Sequence, residues 1–257
     1  MRAASRAVFA AICFASAMYG QTAPIMTWEE YAKLREFPHT LRLRTAGGEL
    51  LYYAVRHTRD PKDPQLAEIE ALWREFRPTV AMSEGGVRPA AGSPRDAVER
   101  YGEPGFLRLL ADRARVPIQS LEAPREVEIT AMLQIYPAER LKLFYFLRTL
   151  ADRRTVTEGA QEELDYWSRG PGLGGLPRSV EDVDRAVPNW REVSESWFNP
   201  LRDDAFTNEV TRVLSRYRDE QMVKTLAAAV RRGERVFAVV GSTHLAMQER
   251  ALRALVR

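Results

Sequence analysis

The chain has 257 residues, 45% hydrophobic and 28% charged, a globular balance that excludes wholesale disorder, collagen-like repetition and low complexity. Lysine and arginine total 38 against 35 aspartates and glutamates, and without Arg2 and Arg6, which fall in a segment expected to be removed, the balance is near neutral and argues against nucleic acid as partner. The one cysteine, Cys13, lies in that same segment, so the mature chain has no means of forming disulfides, Cys-zinc sites, iron–sulfur clusters or a cysteine nucleophile.

Residues 1–20 have the three parts of an export signal: Arg2 and Arg6, an apolar run from Ala7 to Ala17, and small residues after it. The run is about 11 residues, short of the roughly 20 that span a bilayer. Cleavage is expected between Ala17 and Gln21, delivering the protein to the periplasm or the exterior. No other stretch approaches membrane-spanning length, so no transmembrane segment is expected in the mature chain.

From there the pattern alternates. Leu41–Thr45 and Glu49–Val55 flank Ala46-Gly47-Gly48 and read as a β-hairpin. Leu66, Ile69, Leu72, Trp73 and Phe76 recur at helical spacing over Asp63–Phe76, and Pro78 ends that helix. Thr79–Met82 is a short strand. Pro94–Arg115 is helical in two pieces, broken at Gly102–Pro104, and Val116–Leu121 is a second short strand. Two or three helices cover about residues 124–168, and a Gly/Pro-rich loop follows at 170–177. Helices resume at about 203–232, Arg235–Val240 is the strongest strand, and a last helix runs from about Thr243 to Val256. Strands alternating with helices predict an α/β fold: a central, largely parallel sheet flanked by helices, with a mostly helical insertion. The organisation expected is a signal at 1–20 and a single α/β domain at 21–257 with a helical lobe at about 124–232.

In open α/β sheets ligands bind beyond the carboxyl ends of the strands. Four predicted strand exits carry His57, Glu84, Glu122 and His244. A lone histidine at such a place is usually a packed or surface residue. Four convergent exits are harder to dismiss. Two imidazoles with carboxylates can hold a divalent metal with a position left for water. They can equally act directly, with histidine as general base and glutamate as its partner. His-Glu-x-x-His, Gly-x-Ser-x-Gly and Walker-type motifs are absent. The Gly170-Pro-Gly172-Leu-Gly174-Gly175 run follows a helix and carries prolines, so it reads as a loop rather than a nucleotide fingerprint.

The ordered set Ala54-Val-Arg-His57, Pro78-to-Glu84, Leu121-Glu122, Asn199-Pro-Leu-Arg202 and Gly241-Ser-Thr-His244 resembles the Tiki/TraB/GumN-like superfamily over about residues 50–257. That group is distantly related to erythromycin esterases and ChaN-type haem-binding proteins. The second Gly-x-x-His of the pattern is intact, and in the first Ala54 replaces the glycine. The resemblance implies two related halves whose Gly-x-x-His ends meet at one pocket. It carries over His57, Glu84 and His244 as ligands of a divalent metal. Glu122 would complete the shell or act as base, and Arg202 would stabilise developing negative charge. The function expected is an exported, metal-assisted hydrolase acting on a peptide or ester. The alternatives are a metal-free hydrolase with His57 as base and Glu84 as its partner, or a non-catalytic protein binding a metal, haem or small ligand in the same pocket.

Overall fold

The computed structural model describes residues 24–37, 39–151 and 155–256. The expected export signal and its cleavage site lie outside the described residues. After a four-residue helix α1 (Trp28–Tyr31), strands β1 (Thr40–Arg44) and β2 (Glu49–Val55) form the antiparallel hairpin expected of the Gly-Gly turn. Helix α2 (Pro64–Phe76) leads to β3 (Val80–Ser83), and α3 (Pro94–Ala114) leads to β4 (Ile118–Ser120). Helices α4 (Arg125–Met132), α5 (Ala138–Ala151), α6 (Ala160–Ser168) and α7 (Val180–Ala186) follow, with two 3-10 turns before α8 (Phe206–Arg231). Strand β5 (Arg235–Gly241) and helix α9 (Ser242–Leu255) close the chain.

The sheet order is β1-β2-β5-β3-β4, and every pairing except β1 with β2 is parallel. The last strand therefore lies in the centre, between β2 and β3. β2 and β3 are wholly buried and β5 nearly so, as parallel strands covered on both faces must be. On one face Leu50, Tyr52, Ala54, Val236, Ala238 and Val240 pack against α8 and α9. On the other, Leu51, Tyr53, Val55, Phe237 and Val239 pack against α2 and α3.

A third core gathers Phe144, Leu147, Leu164, Trp167, Val183 and Trp190, and it draws in Val210 and Leu214 from the start of α8. Helix α8 thus serves two cores, with its first half in the lobe and Met222–Val230 on the sheet. The residues between, Arg218 and Asp219, sit where the lobe meets the sheet. The helices expected over about 203–232 are this one continuous element. β4 is three residues long rather than the six expected, because it is the edge strand and pairs on one side only.

The break expected in α3 is present. Gly102 has φ 65°, a left-handed conformation that favours glycine, and Pro104 follows. A Cβ on Gly102 would lie 3.0 Å from the Thr58 carbonyl oxygen. The kink therefore presses α3 against the chain leaving β2, and it delivers Glu103 there.

Candidate active site at the sheet edge

β2, β5, β3 and β4 run in the same direction and end at one edge. His57 leaves β2, Glu84 leaves β3, Glu122 leaves β4, and His244 stands in the first turn of α9 after β5. The parallel register makes neighbours of residues far apart in sequence, and Gly241 is their hub. Its N–H donates to Glu84 Oε2 at 2.8 Å. A Cβ built on it would come within 3.0 Å of His57 Nε2 and 3.3 Å of Glu84 Oε2. The glycine that opens the second Gly-x-x-His thus leaves room for the histidine of the first.

Glu84 is the most heavily engaged group. Its Oε1 lies 3.1 Å from Arg218 Nη2 and 3.2 Å from His244 Nε2. Burial on its own would raise its pKa, but His244, Arg218 and the Gly241 N–H hold it well below the usual carboxylate range. His244 Nδ1 is 2.6 Å from Asp219 Oδ1. Burial disfavours the imidazolium, yet Glu84 and Asp219 outweigh it and push the pKa up to about 9. His244 is therefore a cation at neutral pH. One turn further along α9, Gln248 donates to the same Asp219 oxygen at 2.7 Å and accepts from Tyr52 O–H at 2.8 Å.

Arg218 joins this group to the next strand. Its Nε donates to Glu122 Oε1 at 2.7 Å, and Glu122 Oε2 accepts the Gly85 N–H at 2.9 Å. Burial works against the guanidinium charge, but Glu122 and Glu84 keep it firmly protonated. Breaking one arm of such a buried network leaves an uncompensated charge, at a cost of about 3–5 kcal/mol.

His57 differs from the others. Its side chain is 64% exposed, whereas those of Glu84 and His244 are 15% and 12% exposed. Its Nδ1 lies 3.3 Å from Glu103 Oε2, and the other Glu103 oxygen accepts the Thr58 N–H. Glu103 itself is buried, at 1% exposure. The hydrogen bond to Glu103 raises the His57 pKa against the opposing effect of burial.

Four of the five residues singled out from the sequence thus meet at one edge. Arg202 does not. It is exposed in the loop before α8, ion-paired with Asp204, and contacts none of the other four. The arginine at the site is Arg218. Sequence reasoning also missed Asp219 and Glu103. A signal for Arg218 was present: it interrupts the apolar i, i+4 stripe Leu214–Met222–Leu226 of α8, a place where a charge needs a buried partner.

Beside this cluster lies an open cleft of about 860 Å3, bordered on the cluster's side by Gly85, Glu122 and Arg218 and on the lobe's side by Glu128, Tyr145 and Trp167. His57 lies outside its lining. Among the described residues no helix is long and apolar enough to cross a membrane.

No curated protein and no solved structure matches the chain. The family model described as TraB/PrgY/gumN matches residues 30–257, which takes in the whole sheet and every residue of the cluster. On that match, the chain belongs to the TraB/PrgY/gumN family.

Proposed function

We propose that the protein is an exported hydrolase that cleaves an ester or peptide carbonyl with water activated by His57. The observation that carries this reading is the Glu103–His57 pair: a buried carboxylate on Nδ1 of an exposed imidazole whose Nε2 faces the Gly241 hub. This is the geometry of an oriented general base. Glu103 fixes the tautomer with hydrogen on Nδ1 and leaves Nε2 to accept a proton. Nε2 takes that proton from water as the oxygen bonds to the carbonyl carbon. The imidazolium then returns it to the departing alkoxide or amine. Arg218 and the His244 imidazolium offset the charge of Glu84, so the oxyanion does not form against an uncompensated carboxylate.

The metal implied by the family resemblance has one feature in its favour. Both imidazoles have Nδ1 against a carboxylate, as metal-bound histidines commonly do. The donor set otherwise does not fit. Glu84 Oε1 is shared by Arg218 and His244, and Oε2 is taken by Gly241. His244 has both ring nitrogens against carboxylates, Nε2 on Glu84 and Nδ1 on Asp219, so neither nitrogen is free for a metal while those contacts hold. Among the described residues no three His, Cys, Asp or Glu side chains converge as a ligand group. The chemistry proposed therefore runs through His57 and its carboxylate.

The test is a panel of activated esters and fluorogenic peptides, with wild type beside His57→Gln. Turnover by wild type and its loss in the variant are expected. Equal turnover by both would remove His57 as the base. No turnover by wild type would leave the pocket as a ligand-binding site.

A further inference from the structure

The cleft beside the cluster has an unequal charge lining. Arg88, Arg125, Arg148 and Arg218 face it, against Glu122 and Glu128. Arg218 is neutralised by Glu84 and Glu122. Arg88 and Arg125 have no carboxylate partner among the described residues: Arg125 Nη1 donates to the Tyr166 hydroxyl, and the buried Arg88 Nε finds no acceptor among them. The remaining N–H donors of these two guanidinium groups line the cleft wall, where an anionic ligand can accept from them.

Arg88 is folded over the chain leaving β3: a Cβ on Gly85 would strike its Nη2 at 2.5 Å. That places the guanidinium over Gly85. Arg125, at the start of α4, lies with its guanidinium 5.2 Å from the centre of the Trp167 ring, and Trp167 stacks on Tyr145 at 4.7 Å and 13°. The cleft thus combines two guanidinium groups that no carboxylate neutralises, one of them already bonded to the Tyr166 hydroxyl, with the exposed margins of Trp167 and Tyr145.

We propose that this cleft selects substrates that carry a carboxylate near the bond to be cleaved. Arg88 and Arg125 bind the carboxylate, and an apolar or aromatic side group lies against Trp167 and Tyr145. A planar guanidinium matches a carboxylate with two parallel hydrogen bonds. The glutamates on the same wall keep the surplus positive charge small, which suits a singly charged anion better than a dianion. The inference deepens the hydrolase reading and rests on it only for the placing of the carboxylate beside the reacting carbonyl.

Calorimetric titration of N-acetyl-phenylalanine and its amide into the full-length mature protein separates the two. Wild type is expected to bind the acid at least tenfold more tightly than the amide. Arg125→Gln and Arg88→Gln should each narrow that ratio to less than about threefold. Equal binding of acid and amide, no binding of either, or a ratio indifferent to both arginine variants overturns the proposal. A wild type that binds the acid selectively but hydrolyses none of the ester and peptide panel upholds the cleft's selectivity and defeats the hydrolase reading alone.

Discussion

His244 should make stability depend on pH on the alkaline side. Its imidazolium stands between Glu84 Oε1 at 3.2 Å and Asp219 Oδ1 at 2.6 Å, and these carboxylates hold its pKa at about 9 against an ordinary 6.5. The folded value is raised, so the stabilisation is fully present below pH 6.5 and is lost as pH rises through about 9. At about 1.4 kcal/mol per unit, the shift corresponds to about 3 kcal/mol, and at 12% exposure solvent screening takes little from it. Urea midpoints at pH 6 and pH 10 measure the loss, with His244→Gln as reference because it cannot titrate there. Wild type should lose about 3 kcal/mol more than the variant over that interval. Should the variant fail to fold, nitrogen chemical shifts of labelled histidine report the same property, with one imidazole still protonated at pH 8. Parallel pH profiles, or a His244 that titrates near 6.5, would refute the reasoning.

Gly241→Ala is tolerated by the backbone, since φ is −58°, but its methyl would meet His57 Nε2 at 3.0 Å. The exposed imidazole can swing aside, so stability should change by about 1 kcal/mol or less while turnover falls on the order of 100-fold. Thermal melts and initial rates check this together. Glu103→Gln weakens the hydrogen bond that raises the His57 pKa and removes the charge that adds to it, so the rising limb of the pH–rate profile should move to lower pH and the plateau should drop on the order of 100-fold or more. An unmoved limb would mean that His57 is not the titrating base. Intact mass of the protein from its native host should show a chain beginning between residues 18 and 21; a mass that retains Met1 would contradict export by cleavage.

What could be read from the sequence follows from how each residue reaches the site. β2 and β5 are apolar runs rich in β-branched and aromatic residues, and their exits fall at a common edge in any parallel sheet. His57, Glu84, Glu122 and His244 lie at those exits and were legible for that reason. Glu103, Arg218 and Asp219 come from helices, where most charged residues are solvated, and only tertiary packing turns these three inward. Arg202 drew notice through its place in a loop resembling the family pattern, but its neighbour Asp204 satisfies it at the surface. The kink at Gly102 was visible as Gly and Pro within a helical run, although its consequence, a carboxylate set against His57, depends on the approach of α3 to Thr58. The lobe was legible as helix, whereas its shared use of α8 was not, because a 26-residue helix carries no mark of where one core ends and the next begins.

The central claim is that His57, oriented by Glu103, activates water without a metal. Hydrolysis of the best substrate in the panel, measured after exhaustive chelation with metal content determined on the same sample, tests it most directly. The account predicts full turnover in metal-free wild type and loss in His57→Gln. Turnover abolished by chelation and restored by a divalent ion would contradict it.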